Sequence, residues 1–410
     1  DALGRKVRDY QEAGAKKPDK FVAMFYWTWH QGNDDTTYRV KNITEIVRQH
    51  PEAMKDYHHP AWGTKQPGFF FWEQPLLGYY KTTDPWVLRK HAEMLADAGV
   101  DAVFFDCTNG SLTWQDSYEA LLKTWDQAQK DGVNVPKIAF MLPFGPAPHS
   151  LVSLRQLYND LYKPGRYENL WFVWKGKPCI MAYPDNLTDS PTDRAIADFF
   201  TFRPGQPDYV DGPTRNDQWG WLEVYPQHGY VKSPDGDFEQ VAVGIAQNTS
   251  PDRKGHCGAF NVKDAYGRNF SVRNGFDPRV DGYLYGWNFD EQWERAYELD
   301  PELVFVTGWN GCPRIAGTAI RSRSSISTTG TAAATSSPMP AGVTEATYTI
   351  CNSSTKSGNS KAWTHRKSPR LRKRSASAAP TAGTTWRPIT VITGATRCTA
   401  TTGADTANIT

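Results

Sequence analysis

A chain of 410 residues is long enough for one large barrel, or for a barrel with a small appended module. Its formal charge of +2 hides two unlike parts: residues 1–310 carry 42 acidic and 33 basic side chains, and residues 311–410 carry 2 and 13. The acidic balance of the larger part argues against a nucleic-acid partner. No apolar run approaches the ~18 residues that a membrane helix needs, and the cysteines show neither metal-like spacing nor a disulfide framework.

Aromatic residues make up 13% of the chain, 16 of them Trp. Many of these Trp sit beside polar residues. That pattern suits a carbohydrate surface, because a flat ring stacks on the C–H face of a sugar; the plainer reading is large core residues.

Taken in order, Phe21–Trp27 (FVAMFYW) predicts a first strand that ends in Trp27, Trp29 and His30. An irregular stretch with His58, His59 and Trp62 follows, then an aromatic patch, Phe69–Tyr80, with Glu73 inside it. Asp84 as N-cap, Pro85 at the first helical position and Gly99 as terminator frame a helix over WVLRKHAEMLADAG. It feeds VDAVFFDCTNG, a buried strand ending in Asp106, Thr108 and Asn109. Helix, glycine, buried strand and polar strand end form the unit of a parallel α/β protein. In a barrel of such units chemistry sits at the C-terminal strand ends, which makes Asp106 a candidate by position.

The grammar repeats. A helix is expected over Trp114–Lys130, a strand over Pro136–Gly145 and a helix near Leu151–Tyr162. Two strands turning at Lys175-Gly176 follow, then a helix over Thr192–Phe199. WGWLEVYPQHG (Trp219–Gly229) reads as a strand with a polar, ligand-facing surface, and VAVGIAQN ends in Gln247 and Asn248. A last helix, an Asp300-Pro301 turn and a buried strand lead to Trp309-Asn310. About eight such units predict a (β/α)₈ TIM-type barrel over residues 1–317.

After Asn310 the pattern stops. Residues 318–410 are mostly Ser, Thr, Ala, Gly and Arg without period. They read as a disordered low-complexity tail, or as an out-of-register remnant of the barrel end and an appended module. Codon choices exist that give globular-looking text one base out of frame.

Glycosidases generally work with two carboxyl groups across the scissile bond. Here Asp106 and Glu223 are the catalytic candidates. Trp27, His30, Glu73, Asn109, Trp221, Tyr225, His228, Gln247, Asn248, Trp309 and Asn310 are candidates for binding sugar by stacking or hydrogen bonds. Each has a structural alternative: Asp106 capping its loop, Glu223 pairing with an Arg. No phosphate-binding loop, dinucleotide fingerprint, serine-hydrolase elbow or zinc motif occurs. His256, Cys257 and Asp264 form no convincing ligand set, so no cofactor and no metal are expected.

The runs GYYKTTDPWVLRKHAEMLADAGVDAVFFDCTNG, WGWLEVYPQH and VFVTGWN resemble a bacterial family of secreted carbohydrate-active barrels. That family is distantly similar to the glycoside hydrolases that include endo-α-mannosidases and fungal α-1,3-glucanases. The resemblance covers about residues 1–310. It implies hydrolysis of a polysaccharide or glycan by a monomer located outside the cell or in the periplasm, and a β-rich carbohydrate-binding module after the barrel. Those hydrolases end their last strand in an Asn-Glu-Trp type motif whose Glu belongs to the catalytic region. Here Gly311 and Cys312 follow Trp309-Asn310, which implies an impaired catalyst. Two other classes stay open: a non-catalytic carbohydrate-binding barrel, and a polysaccharide lyase with Tyr225 or His228 as base and Arg268 facing a uronate.

Overall fold

A computed structural model of the chain describes residues 17–28, 80–246, 268–279 and 282–310. Shorter pieces at 48–55, 59–62, 69–71 and 313–315 and a few single positions are also described. The expectations for His30, Glu73, Gln247, Asn248, His256, Cys257, Asp264, Gly311, Cys312 and residues 318–410 lie outside the described residues.

The centre is a parallel run of strands: β1 (Phe21–Tyr26), β3 (Ala102–Asp106), β4 (Lys137–Met141), β6 (Lys177–Met181), β7 (Thr201–Phe202), β9 (Phe238–Gly244) and β12 (Leu303–Thr307). Their spatial order is β7-β6-β4-β3-β1-β12-β9. Two antiparallel strands border it, β5 (Val173–Trp174) on β6 and β8 (Tyr230–Lys232) on β9. Two small ladders stand apart: β2 (Phe69–Phe71) pairs β13 (Pro313–Ile315), and β10 (Phe270–Ser271) pairs β11 (Gly275–Phe276).

Helices α1 (Pro85–Asp97), α2 (Gln115–Lys130), α4 (Pro191–Phe199) and α5 (Trp287–Leu299) each lead into a parallel strand, and α3 (Pro148–Leu157) leads by way of β5 to β6. Their ends follow the expected chemistry. The Asp84 carboxylate accepts the N–H groups of Trp86 and Val87 at 2.9 and 3.2 Å, and Pro85 occupies the first turn, where its missing N–H costs nothing. Gly99, at φ +82°, ends α1 in the left-handed region that a Cβ would make costly. The β5–β6 turn takes positive φ at both Lys175 and Gly176, the two-residue hairpin geometry that matches strand twist. Helix α3 continues into a single π turn, Tyr158–Tyr162. None of the described helices is long and apolar enough to cross a membrane.

Strand alternation divides the core in two. Val22, Met24 and Tyr26 of β1, Val103 and Phe105 of β3, and Val304 and Val306 of β12 face outward to the helices. Ala23, Phe25 and Trp27, Ala102 and Phe104, and Leu303 and Phe305 face inward, into the curl of the sheet, beside Trp219, Trp221, Leu222 and Tyr230. Trp125 ties α2 to α1 by donating its indole N–H to the Leu88 carbonyl at 2.9 Å.

One expectation is met in part, a curled α/β sheet without a closed barrel ladder, and one changes. The described sheet has seven parallel strands rather than eight, and its ladder stays open between β7 and β9. Residues 219–229, expected as a strand, form none. The segment runs across the opening, buried from Trp219 to Val224 and partly open from Tyr225 to Gly229. Trp219 bridges Gly205 beyond β7, and Gly220 is held by the Gln240 side chain of β9, which accepts its N–H at 3.0 Å and donates to its carbonyl at 2.7 Å. The Trp221 carbonyl accepts from the Thr307 hydroxyl, and the Glu223 carbonyl from Gln292 at 2.7 Å. Side chains thus satisfy much of a buried backbone that joins no strand ladder among the described residues, and Trp219 and Val224 donate to the carbonyls of Pro204 and Tyr209. A bidentate ion pair spans the same opening: Arg203, just past β7, donates to both oxygens of Glu239 on β9 at 2.6 and 2.9 Å.

Candidate active site

Asp106 is the last residue of β3. Two residues on from inward-facing Phe104, it is fully buried at the C-terminal end of the strand. The chain turns sharply after it. The Thr108 backbone N–H and hydroxyl both donate to Oδ1, at 3.0 and 2.7 Å. This is an Asx-type turn, which the Asp-x-Thr spacing could have signalled. Burial pushes the Asp106 pKa up to about 6, and the two Thr108 donors offset part of that rise.

Glu223 lies on the crossing segment, held to the C-terminal ends of β9 and β12. The Gln292 side chain donates to its carbonyl and accepts the Gly244 N–H, and Thr307 donates to the carbonyl of Trp221. Strand register therefore puts Asp106 and Glu223 toward the same end of the sheet. The Glu223 side chain is buried, and His228 holds both its oxygens. The His228 backbone N–H donates to Oε2 at 3.1 Å, and ring Nδ1 meets Oε1 at 2.9 Å. Burial raises the Glu223 pKa, while the His228 hydrogen bond and charge and the nearby Tyr230 hydroxyl pull the other way. The hydrogen bond to Glu223 in turn raises the pKa of His228, against partial desolvation. Sequence reading missed Tyr230, although its position two residues after His228, inside the curl, was a usable signal.

The other candidates divide. Trp221 is enclosed, its ring set against Phe25, Phe144 and Tyr209 at centroid distances of 5.6–5.8 Å. Trp27 is buried above Phe25. Trp309 is buried in the outward layer, edge-on to His91 at 5.5 Å. The Asn310 amide is committed to the backbone of Trp27, accepting its N–H at 2.7 Å and donating to its carbonyl at 2.9 Å. Asn109 and Tyr225 are half-buried; the Asn109 amide reaches the Thr108 hydroxyl at 3.4 Å. Arg268 is buried before α5, and its carbonyl accepts the Asn288 N–H at 3.4 Å.

One His/Glu cluster occurs among the described residues: His50, Glu52 and His59. His50 Nδ1 and His59 Nε2 each lie 3.2 Å from Glu52 Oε1. The Ala61 N–H donates to His59 Nδ1 at 3.2 Å, so Nε2 is the nitrogen that carries the proton. A protonated Nε2 donates to Glu52 and cannot ligate a metal ion, and the group reads as a hydrogen-bonded triad.

No protein-family pattern matches this chain, and no curated protein does. Among solved structures it resembles the GH99 endo-alpha-mannosidase of Bacteroides thetaiotaomicron. With the complex with BIS-TRIS-propane the TM-score is 0.45 at 15% identity, covering 84% of this chain and 98% of that one. A second structure of that enzyme gives 0.43 at 13%, covering 82% and 97%. A glycoside hydrolase-like protein gives 0.39 at 12%, covering 75% and 88%. These are distant likenesses, and the activity named for the mannosidase is its own.

Proposed function

We propose that this protein is a glycoside hydrolase acting on a polysaccharide or glycan, with Asp106 and Glu223 as its working carboxyl groups. The observation that carries the reading is the pair itself. Two buried carboxyls sit toward the C-terminal end of a curled parallel sheet, both with pKa values raised by burial. A carboxyl whose pKa burial raises can exchange a proton closer to neutral pH, which glycoside hydrolysis requires of one of its two groups. Asp106, deep in the curl, is suited to steady positive charge developing at the anomeric carbon. Glu223, with its histidine neighbour, is suited to the proton that the leaving oxygen needs.

The test is release of reducing ends from a panel of α- and β-linked polysaccharides. Asp106→Asn and Glu223→Gln should each lower turnover about 10²-fold or more, the scale of general acid–base catalysis. Wild-type rates in both variants would remove the assignment. Ultraviolet absorbance of the products separates hydrolysis from elimination, because only a lyase leaves a double bond.

A further inference from the structure

Glu223 and His228 form a pair with one closed end and one open end. The Glu223 side chain is 1% exposed, whereas the His228 side chain is 42% exposed. Both carboxylate oxygens are engaged by His228, through its backbone N–H and its ring Nδ1. With Glu223 ionised, its carboxylate can only accept, and Nδ1 then carries the proton it shares with Oε1. Nε2 is left as the nitrogen whose protonation can change. The ring also has a fitted seat. A Cβ on Gly212, where φ is +75°, would lie 2.6–2.8 Å from the His228 ring atoms, so only glycine lets the imidazole lie there.

We propose that the side chain that hands over the proton at this site is His228, through Nε2, and that Glu223 is the positioning residue that holds it. The inference rests on the glycoside hydrolase reading and refines the part Glu223 plays in it. A carboxylate enclosed on all sides and bonded twice to its neighbour is poorly placed to touch a sugar, whereas an imidazole fixed by it is well placed. As the glycosidic C–O bond breaks, its electron pair stays on the leaving oxygen, which takes the Nε2 proton. Water supplies the hydroxyl that bonds to the anomeric carbon, and the proton released from that water restores the imidazolium. The groups facing the ring set its charge. Glu223 and Asp211 favour the protonated form and Arg295 opposes it, with the Glu223 hydrogen bond the strongest influence. The Tyr230 hydroxyl lies on the carboxylate side, and its own pKa is raised chiefly by burial.

The test has a spectroscopic arm and a kinetic arm, both on the full-length chain. With ¹⁵N-labelled histidine, the His228 signals are assigned by their loss in His228→Gln. Neutral His228 should carry its proton on Nδ1, and its titration midpoint should fall in Glu223→Gln. A neutral form protonated on Nε2, or a midpoint unchanged in Glu223→Gln, overturns the proposal. In the kinetic arm, His228→Gln and Glu223→Gln should each lower turnover about 10²-fold on a polysaccharide that the wild type cleaves, and the double variant should lose little more. On a 2,4-dinitrophenyl glycoside, whose leaving group needs no proton, the loss in His228→Gln should shrink to a few-fold. Wild-type turnover by His228→Gln on the polysaccharide overturns the proposal. A wild type that cleaves no glycan overturns the hydrolase reading and this step with it, and the titration then shows separately whether the pair exists.

Discussion

The side chain of Asn310 is bonded to the main chain of Trp27, accepting its N–H at 2.7 Å and donating to its carbonyl at 2.9 Å. The pairing of β1 with β12 ends at Met24 and Val306, and this amide carries the contact three residues further, to the residue just past β1. Asn310→Ala would remove two hydrogen bonds from the buried backbone of Trp27, each worth about 1–2 kcal/mol. The expected loss is roughly 2–4 kcal/mol in denaturant unfolding. Asn310→Asp should also destabilise, because a carboxylate cannot donate to the Trp27 carbonyl. Unchanged stability in both variants would return Asn310 to the groups free to bind a sugar.

Asp106 should make stability depend on pH in a definite direction. Its pKa is 3.8 in ordinary surroundings and about 6 in the fold, where burial disfavours the charge. Between those values the unfolded chain has given up a proton that the folded chain still holds. Stability therefore falls as pH rises through that window. The stabilisation is fully present below pH ~4 and is lost above pH ~6, an effect of about 3 kcal/mol. Asp106→Asn should be flatter over pH 4–7 than the wild type by that amount, read from unfolding curves at four pH values. Parallel curves for the two proteins would contradict the raised carboxyl.

The ion pair across the open side of the sheet behaves oppositely. Burial pushes the Glu239 pKa up, but its bonds to Arg203 more than offset this, and the carboxyl ends below its ordinary range. Its contribution is present above the unfolded value and is lost as pH falls through the folded one. Arg203→Met should cost about 3–5 kcal/mol, because Glu239 is then buried without its partner. Trp219, which donates to Glu239 at 2.7 Å, should loosen with it. Adding Glu239→Leu should recover much of the loss. A double variant as unstable as the single one would show that the pair holds the opening by more than its charge.

Gly212→Ala probes the imidazole seat without touching either charged group. The added methyl meets the His228 ring, and a left-handed residue other than glycine costs about 1–2 kcal/mol. The ring should move, its bond to Glu223 should weaken, and its titration midpoint should fall toward the ordinary histidine value. A midpoint equal to that of the wild type would mean that the ring tolerates the methyl in place.

Local signals were legible wherever a residue acts on its own neighbours. Asp84, Pro85 and Gly99 framed α1 because caps work within one turn, and Lys175-Gly176 announced the hairpin because two left-handed residues fix it. The placement of Asp106 at a strand end followed from the same local grammar. Residues 219–229 were misread because their mix of Trp, Glu, Tyr and Gln suits a strand in composition. The partners that decide otherwise, Gln240, Gln292 and Thr307, lie 20 to 86 residues away.

The sequence by itself determined the order of helix and strand, the two faces of each strand and the place of the first carboxyl at a strand end. Each of these depends on spacing along the chain, through 3.6- and 2-residue periods and capping side chains. Only the tertiary structure decided that the Asn310 amide serves the Trp27 backbone, that Trp221 is enclosed by three rings, and that Glu223 is closed off while His228 remains open. Burial and hydrogen bonding are set by what the fold brings alongside a residue, and a pKa follows from both. A carboxylate and its imidazole can be spelled five residues apart in any chain; which of the two faces water depends on how segments distant in sequence pack around them.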